Sequence, residues 1–393
     1  MTKHALLSAS AAHRWLQCTA APRMEAKFPD TTSEFAKEGS LAHKIAELKL
    51  RSYAIEPISH ATYTRRLNKL KKDELYQSEM DGHTETYLDY IKGILLSYKV
   101  KPYVAAEKRV DFSQYVPDGF GTADCLIMAP KELHVIDFKY GKGVPVDAAN
   151  NPQMRLYALG ALSAYQFLYQ FETVHMHIIQ PRINNFSQET LGIEQLTQWA
   201  ESVVKPKAQE AYSESKGKFH PGDWCRFCRA KAQCKARSEA YAAMAATAEE
   251  KHDPTMITMP ELGEYLKKAK QLKEWAEDLQ EYALSQCLQG VHVPGWKAVE
   301  GRGSRTFTDT DAAFGKLMQN GIDESILYER VPLTLAKTEK AIGKKLFAEL
   351  CGEFIEKKPG KPALAPESDK RPALDLTPKA ADVFKSIEQK GDN

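Results

Sequence analysis

Gly121-Thr-Ala-Asp124-Cys-Leu-Ile-Met128, followed after a short turn by Glu132-Leu-His-Val-Ile-Asp137-Phe-Lys139, is the stretch that decides the fold. Both segments are β-prone and bounded by Gly, Pro and Asp, so they read as consecutive strands. Tyr103 to Val110 reads as a strand ahead of them. Thr173 to Gln180, with Val174, Met176 and Ile178 alternating, reads as a fourth. Asn151 to Phe171 and Ile193 to Glu214 carry apolar helical periodicity, and so do residues 6–27, Gly39 to Tyr53, 60–100 and 236–250. Helices before, between and after strands predict an α/β layer architecture, a mixed central β-sheet flanked by helices, over the first 240 residues.

The same stretch carries the chemistry. Asp137 and Lys139 are two residues apart at the end of an apolar strand, so both project from one face. Asp124 opens the preceding strand and is expected beside Asp137. Two close carboxylates call for a divalent cation, and hard oxygen ligands select Mg²⁺ or Mn²⁺. A lysine beside that ion can hold an attacking water or offset charge on a phosphate. Glu107, on the first strand, is a further ligand or a water-positioning group. Gln153 and Tyr157 share one face of the following helix and can bind a phosphate oxygen or the lysine region. The competing reading of Asp137 and Lys139 is a surface hairpin with an ordinary ion pair.

Seven cysteines, an odd number, do not form a disulfide framework, and three crowd into Cys225-Arg-Phe-Cys228-x5-Cys234. Three thiolates leave a metal one ligand short, and Cys18 is the natural fourth. Zinc is the default ion for four thiolates. The chain has 54 Lys+Arg against 52 Asp+Glu, which excludes an all-over basic sheath but not a basic groove. Arg65, Arg66, Lys69, Lys71 and Lys72 form the one basic run, either a solvated face or a phosphate contact. No apolar run is long enough to span a bilayer and no signal peptide is visible, so a soluble, cytoplasmic protein with no membrane partner is expected.

These motifs resemble the PD-(D/E)XK nuclease superfamily in its RecB-like branch. The pattern there is an Asp in a G-x-x-D strand, an apolar strand ending D-x-K, and a helix bearing Q-x-x-x-Y. Here these are Gly121–Asp124, Asp137-Phe-Lys139 and Gln153–Tyr157, in that order. Gly39-Ser-Leu-Ala-His43 matches the G-x-x-x-H element of the branch. The resemblance implies a restriction-endonuclease-like core, with His43, Asp124, Asp137 and the Phe138 carbonyl as metal ligands. It also implies that Glu107, Lys139, Gln153 and Tyr157 assist catalysis. RecB-like nucleases of the AddB type and the CRISPR-associated RecB-like exonucleases place one Cys before this core and three after it. By that resemblance Cys18, Cys225, Cys228 and Cys234 hold a structural [4Fe-4S] cluster. More narrowly, the chain is similar to a phage- or prophage-encoded RecB-like family of undefined function. The implied activity is exonuclease action on single-stranded DNA or DNA ends, in phage recombination or replication, alongside a possible recombination partner. A non-catalytic DNA-binding accessory protein that keeps the fold is the second reading, and a zinc-stapled structural protein the third. Polarity, strand preference and oligomeric state stay open.

Beyond residue 250 a mainly helical C-terminal domain is expected to 356. It opens with the capping box Thr258-Met-Pro-Glu261, and residues 291–308 read as a small hairpin. Residues 357–393, rich in Pro and charge, read as a flexible tail. Cys125, Cys287 and Cys351 stand apart from the metal spacing and read as core residues.

Overall fold

The computed structural model describes residues 5–29, 34–246 and 258–299, all within one compact unit, Met1–Val299. The expected domain from 250 is thus described only through its first helix. Residues 300–356, Cys351 and the tail lie outside the described residues.

The chain forms β1 (Tyr103–Asp111), β2 (Phe120–Met128), β3 (Glu132–Phe138), β4 (Thr173–Gln180) and β5 (Asn185–Gly192), in spatial order β1-β2-β3-β4-β5. The β3–β4 pair is parallel and the other three are antiparallel. The architecture is therefore α/β with a mixed sheet, as the sequence predicts. Helices α1 (Ala12–Trp15), α2 (Ala21–Glu25), α3 (Glu34–Leu50), α4 (His60–Leu70) and α5 (Glu79–Leu96) precede the sheet. Helix α6 (Pro152–Tyr165) crosses from β3 to β4. Helices α7 (Ile193–Trp199), α8 (Lys205–Tyr212), α9 (Lys235–Ala246) and α10 (Met259–Leu288) follow.

Each sheet face carries its own apolar core. Leu126, Leu133, Val135, Val174, Met176 and Ile178 pack under α6. Cys125, Ile127, Ile136, Phe138 and Ile179 pack against Ile45 and Leu50 of α3 and Tyr87 and Ile91 of α5. Burying each such side chain contributes roughly 1.5–3 kcal/mol. Helix α6 meets β1 at Gly160, where a Cβ would lie 2.8 Å from that of Val110. Among the described residues, no helix is long and apolar enough to cross a membrane.

Three expectations need correction. Residues 6–27 form two short helices and a turn rather than one helix, because the Cys18–Ala20 segment hydrogen-bonds a distant strand of chain instead (Ala20 N to the Lys218 carbonyl, 3.1 Å). The helix after Ile193 is interrupted over Ala200–Val204 by a wider turn, with Pro206 in the first turn of α8. Strand β5 is missing from the sequence reading: Asn185-Phe-Ser-Gln-Glu-Thr-Leu-Gly192 is a polar edge strand without an alternating apolar face. Of the hairpin expected at 291–308, the described part, up to 299, shows an antiparallel pairing of Val293 with Trp296, and the rest lies outside the described residues. Helix α10 does begin with the expected capping box, Thr258 Oγ1 accepting from Glu261 N and Glu261 Oε2 accepting from Thr258 N. It is tied to α9 by Asp278, which pairs with the buried Arg237 at 2.6 Å.

Candidate metal centre

The two carboxylates meet because β2 and β3 pair antiparallel, with Cys125 opposite Ile136. Asp124 lies within β2 rather than at its opening. Its Oδ2 accepts from the Phe138 amide at 2.7 Å, and its Oδ1 lies 3.4 Å from His43 Nδ1. Asp137 is almost fully buried. Its Oδ1 accepts from Gln153 Nε2 at 3.3 Å, and its Oδ2 lies 3.0 Å from Lys139 Nζ. That approach is off the hydrogen-bonding direction, so the buried Oδ2 has no aligned donor. A buried carboxylate oxygen without a donor is costly, and a cation is the partner that removes the cost. Phe138, whose carbonyl is the expected ligand, donates its N–H to Asp124, and its ring lies 5.3 Å from that of His43.

Gln153 connects the site. It accepts from Lys139 Nζ at 3.1 Å through Oε1, and its Nε2 also reaches Tyr157 Oη at 3.1 Å. Helix α6 starts where this network needs it, since Asn151 Oδ1 accepts from Gln153 N and Met154 N and Pro152 opens the first turn. Tyr157 reaches the centre across Gly121, where a Cβ would stand 2.6 Å from Tyr157 Cε1.

Glu107 completes the set. Ala106 pairs with Cys125 and Lys108 with Ala123, so Glu107 stands opposite Asp124. Its φ of +48° lies in the left-handed region inside a strand. There the inward alternation of β1 switches sheet faces: Val104 and Ala106 belong to the α3/α5 core, Val110 to the α6 core. A non-glycine held this way costs about 1–3 kcal/mol, and such distortions re-aim side chains at sites. His43, Glu107 and Asp124 bring ligand atoms within 4.8 Å of one another, a set able to hold a metal ion. Glu107→Gly is expected to raise thermal stability by about 1 kcal/mol, by relieving φ and removing a carboxylate from beside Asp124. It should weaken divalent-ion binding at the same time. Melting curves and ion titration read the two opposing shifts.

Electrostatics reflect the crowding. Burial works against charge on His43, but Asp124, Asp137 and Glu107 outweigh it and push its pKa up to about 9. Burial, reinforced by the charge of Asp124, pushes Glu107 up to about 7. Asp124 is held below the ordinary carboxylate value despite burial, by His43 and the Phe138 amide. Burial raises Asp137, with Lys139 offsetting only part of it. Burial opposes charge on Lys139 too, yet Asp137 and Asp124 keep it a firm ammonium. The Lys139 ammonium thus faces Asp137 and Asp124, and the same carboxylates favour a cation, whether proton or metal ion, at His43.

A second cluster lies at the ends of the unit. Cys18, Cys225, Cys228 and Cys234 line one cavity together with Arg14, Trp224 and Arg237. The strands of chain carrying them are laced together: Lys218 N donates to Thr19 Oγ1 at 2.8 Å, Thr19 Oγ1 donates to Glu210 at 2.9 Å, and Arg229 N donates to Glu25 at 3.0 Å. Burial raises the Cys18, Cys225 and Cys228 thiols. Of the other cysteines, Cys125 is a core residue and Cys287 is partly exposed.

Sequence reasoning missed a third group, His134, His175 and His177. The signal was present: His175 and His177 are two apart in a strand and so share a face. They occupy the positions between Val174, Met176 and Ile178 in that alternation. Of the basic run, Lys71 is taken by Asp81 and Tyr76. Arg65, Lys69 and Lys72 line an open groove with His60, Thr64 and Asn68.

The chain belongs to the family described as "Protein of unknown function (DUF2800)", which matches residues 4–372. Among solved structures it is similar to "Crystal structure of SSO0001", at 14% identity over 57% of this chain and 96% of that chain. The TM-score is 0.22, so no argument about fold or function rests on that likeness.

Proposed function

We propose that this chain is a metal-dependent deoxyribonuclease of the PD-(D/E)XK type, RecB-like branch, hydrolysing phosphodiester bonds. One observation carries the reading. Residues far apart in sequence (His43, Glu107, Asp124, Asp137, Lys139, Gln153 and Tyr157) meet at one point of the sheet, where a buried Asp137 oxygen has no aligned donor. A charged surface hairpin would need only Asp137 and Lys139.

Asp124, Asp137, Glu107 and His43 fit a divalent ion of the Mg²⁺ or Mn²⁺ class, carboxylate-rich with one imidazole. When bound, such an ion supplies Lewis acidity and neutralises charge on the phosphate. Lys139, held between Asp137 and Gln153, is placed to orient an attacking water and to offset negative charge developing on phosphate oxygens. Gln153 fixes Lys139, and Tyr157, bonded to Gln153, would position the scissile strand with it. The groove of Arg65 and Lys69 on α4 and Lys72 just past it suits a polyanion. Single-stranded DNA or DNA ends in phage recombination are the substrates the sequence resemblance favours. The four thiols lining one cavity fit a cysteinate-held group, a [4Fe-4S] cluster by the same resemblance and zinc otherwise. Iron and zinc contents of the purified protein decide between them.

The test is a time course on end-labelled single- and double-stranded DNA with Mg²⁺ or Mn²⁺. Wild type is expected to degrade at least one substrate and Asp137→Ala to degrade neither. If wild type binds DNA but cleaves neither form with either ion, the accessory DNA-binding reading replaces this one.

A further inference from the structure

The three histidines missed in the sequence stand on the sheet face opposite Asp137. His134 in β3 is the direct partner of His175 in the parallel strand β4, and His177 follows two residues on. Their rings form a stack: His134 and His175 have centroids 4.7 Å apart, and His134 and His177 5.3 Å. Glu132 lies at the start of the same strand face, its Oε2 3.9 Å from His134 Nε2. We propose that Glu132, His134 and His175 form a second metal site, for a Zn²⁺-class ion, at the N-terminal end of β3 and β4.

Ligand geometry comes first. One donor atom from each of the three lies within 4.8 Å of the other two. Tetrahedral zinc with bonds of about 2.0–2.2 Å needs donors about 3.3–3.5 Å apart. The closure required is about an ångström, which the partly exposed Glu132 and His175 side chains can make by rotation. The Tyr98 hydroxyl, just past α5, lies 2.7 Å from His134 Nε2 and donates to Glu132, so it borders the fourth position.

The surroundings orient the rings as metal-binding histidines are oriented. A ligating imidazole engages its other nitrogen with a fixed partner, which sets tautomer and ring angle. His134 Nδ1 lies 3.0 Å from His177 Nε2, and His177 Nδ1 lies 3.0 Å from Tyr90 Oη on α5. His175 Nδ1 lies 2.9 Å from Thr190 Oγ1 on β5. With His134 ligating through Nε2, its Nδ1–H donates to His177 Nε2, and His177 Nδ1–H donates to Tyr90. Every nitrogen in the relay is then satisfied.

Two imidazoles and one carboxylate select zinc-class ions over Mg²⁺, which prefers oxygen. The site links β3 and β4 directly, with β5 and α5 in support, so a bound ion would brace the two strands. It stands whether or not the Asp124 centre hydrolyses DNA.

The test uses the full chain as purified, with its cysteine site filled and with excess Mg²⁺ to occupy the carboxylate centre. Zn²⁺ is titrated against a chromophoric chelator, with melting curves in parallel. Wild type is expected to bind one more zinc equivalent than His175→Gln or Glu132→Gln, with affinity there reduced at least about tenfold in either variant. Zinc should raise the melting temperature of wild type only. Asp124→Ala should keep the extra equivalent. Should one variant fold poorly, the other carries the comparison. Equal zinc stoichiometry and affinity in wild type and the folded variant overturns the proposal, as does loss of the equivalent in Asp124→Ala instead.

Discussion

Lys139→Ala is expected to lower the rate of DNA hydrolysis about 10²–10³-fold, the usual cost of losing one preorganised charge at a reacting phosphate. Binding of Mg²⁺ or Mn²⁺ should survive. The reason is in the division of contacts. Lys139 touches Asp137 Oδ2 and Gln153 Oε1, whereas Asp124 is held by His43 and the Phe138 amide. Removing the ammonium raises the buried Asp137 carboxyl further, but it also takes a like charge away from the ion's side of Oδ2, so at a pH that keeps the carboxylate ionised the ion still binds. A ligand variant should behave differently: Asp124→Ala loses ion binding together with activity. Single-turnover cleavage and ion titration on both variants separate the roles. Equal cleavage by wild type and Lys139→Ala would remove Lys139 from the chemistry and return the Asp137–Lys139 pair to an ordinary ion pair. Gln153→Ala should fall between, since it loosens Lys139 without removing it.

The second large effect concerns the cysteines. Cys225→Ser or Cys18→Ser is expected to abolish the bound metal group and sharply lower the denaturation midpoint. Binding of a structural metal to a cysteine site is worth about 10–16 kcal/mol in small domains, comparable with the whole stability of a folded unit. Direct ties between the Cys18 segment and residues 210–229 are mostly polar (Thr19 to Glu210 and Lys218, Ala20 to Lys218, Arg23 to Tyr212, Glu25 to the Arg229 amide), with Trp224 packed against Cys18, Ala20 and Ala21. They do not replace such a site. Activity should fall with stability, since Trp15 and Leu16, just before Cys18, pack into the core beneath α6. Cys287→Ser is the control, as Cys287 is partly exposed and outside the cavity. Metal content and urea melts read the outcome. Unchanged metal content and midpoint in both variants would show that the four thiols hold nothing.

What could be read in the sequence, and what could not, follows from the range of the interactions. Strands β1 to β4 were legible because each alternates or runs apolar between turn residues, a local signal. Strand β5 was not, because it is itself an edge strand and its faces are polar. Helix α6 was legible at its start through Asn151 and Pro152, and less so at its end, where Tyr165 is followed by apolar residues that are no longer helical. The first 27 residues failed as a single helix because long-range bonds to residues near Lys218 compete with helical ones.

The opening stretch, Gly121 to Lys139, shows the same division at the site. The sequence by itself determined that Asp137 and Lys139 share a strand face, that a glycine leads Asp124, and that a helix with Gln153 and Tyr157 follows. These rest on the two-residue strand period and the helical turn. Only the tertiary structure decided that Glu107 adopts a left-handed backbone opposite Asp124, that His43 reaches Asp124 from another helix, and that Gln153 joins Lys139 to Tyr157. It likewise placed His134 against His175 and the four thiols around one cavity. Such encounters depend on strand register and helix docking, which are fixed by the packing of both sheet faces and leave no mark in any local pattern.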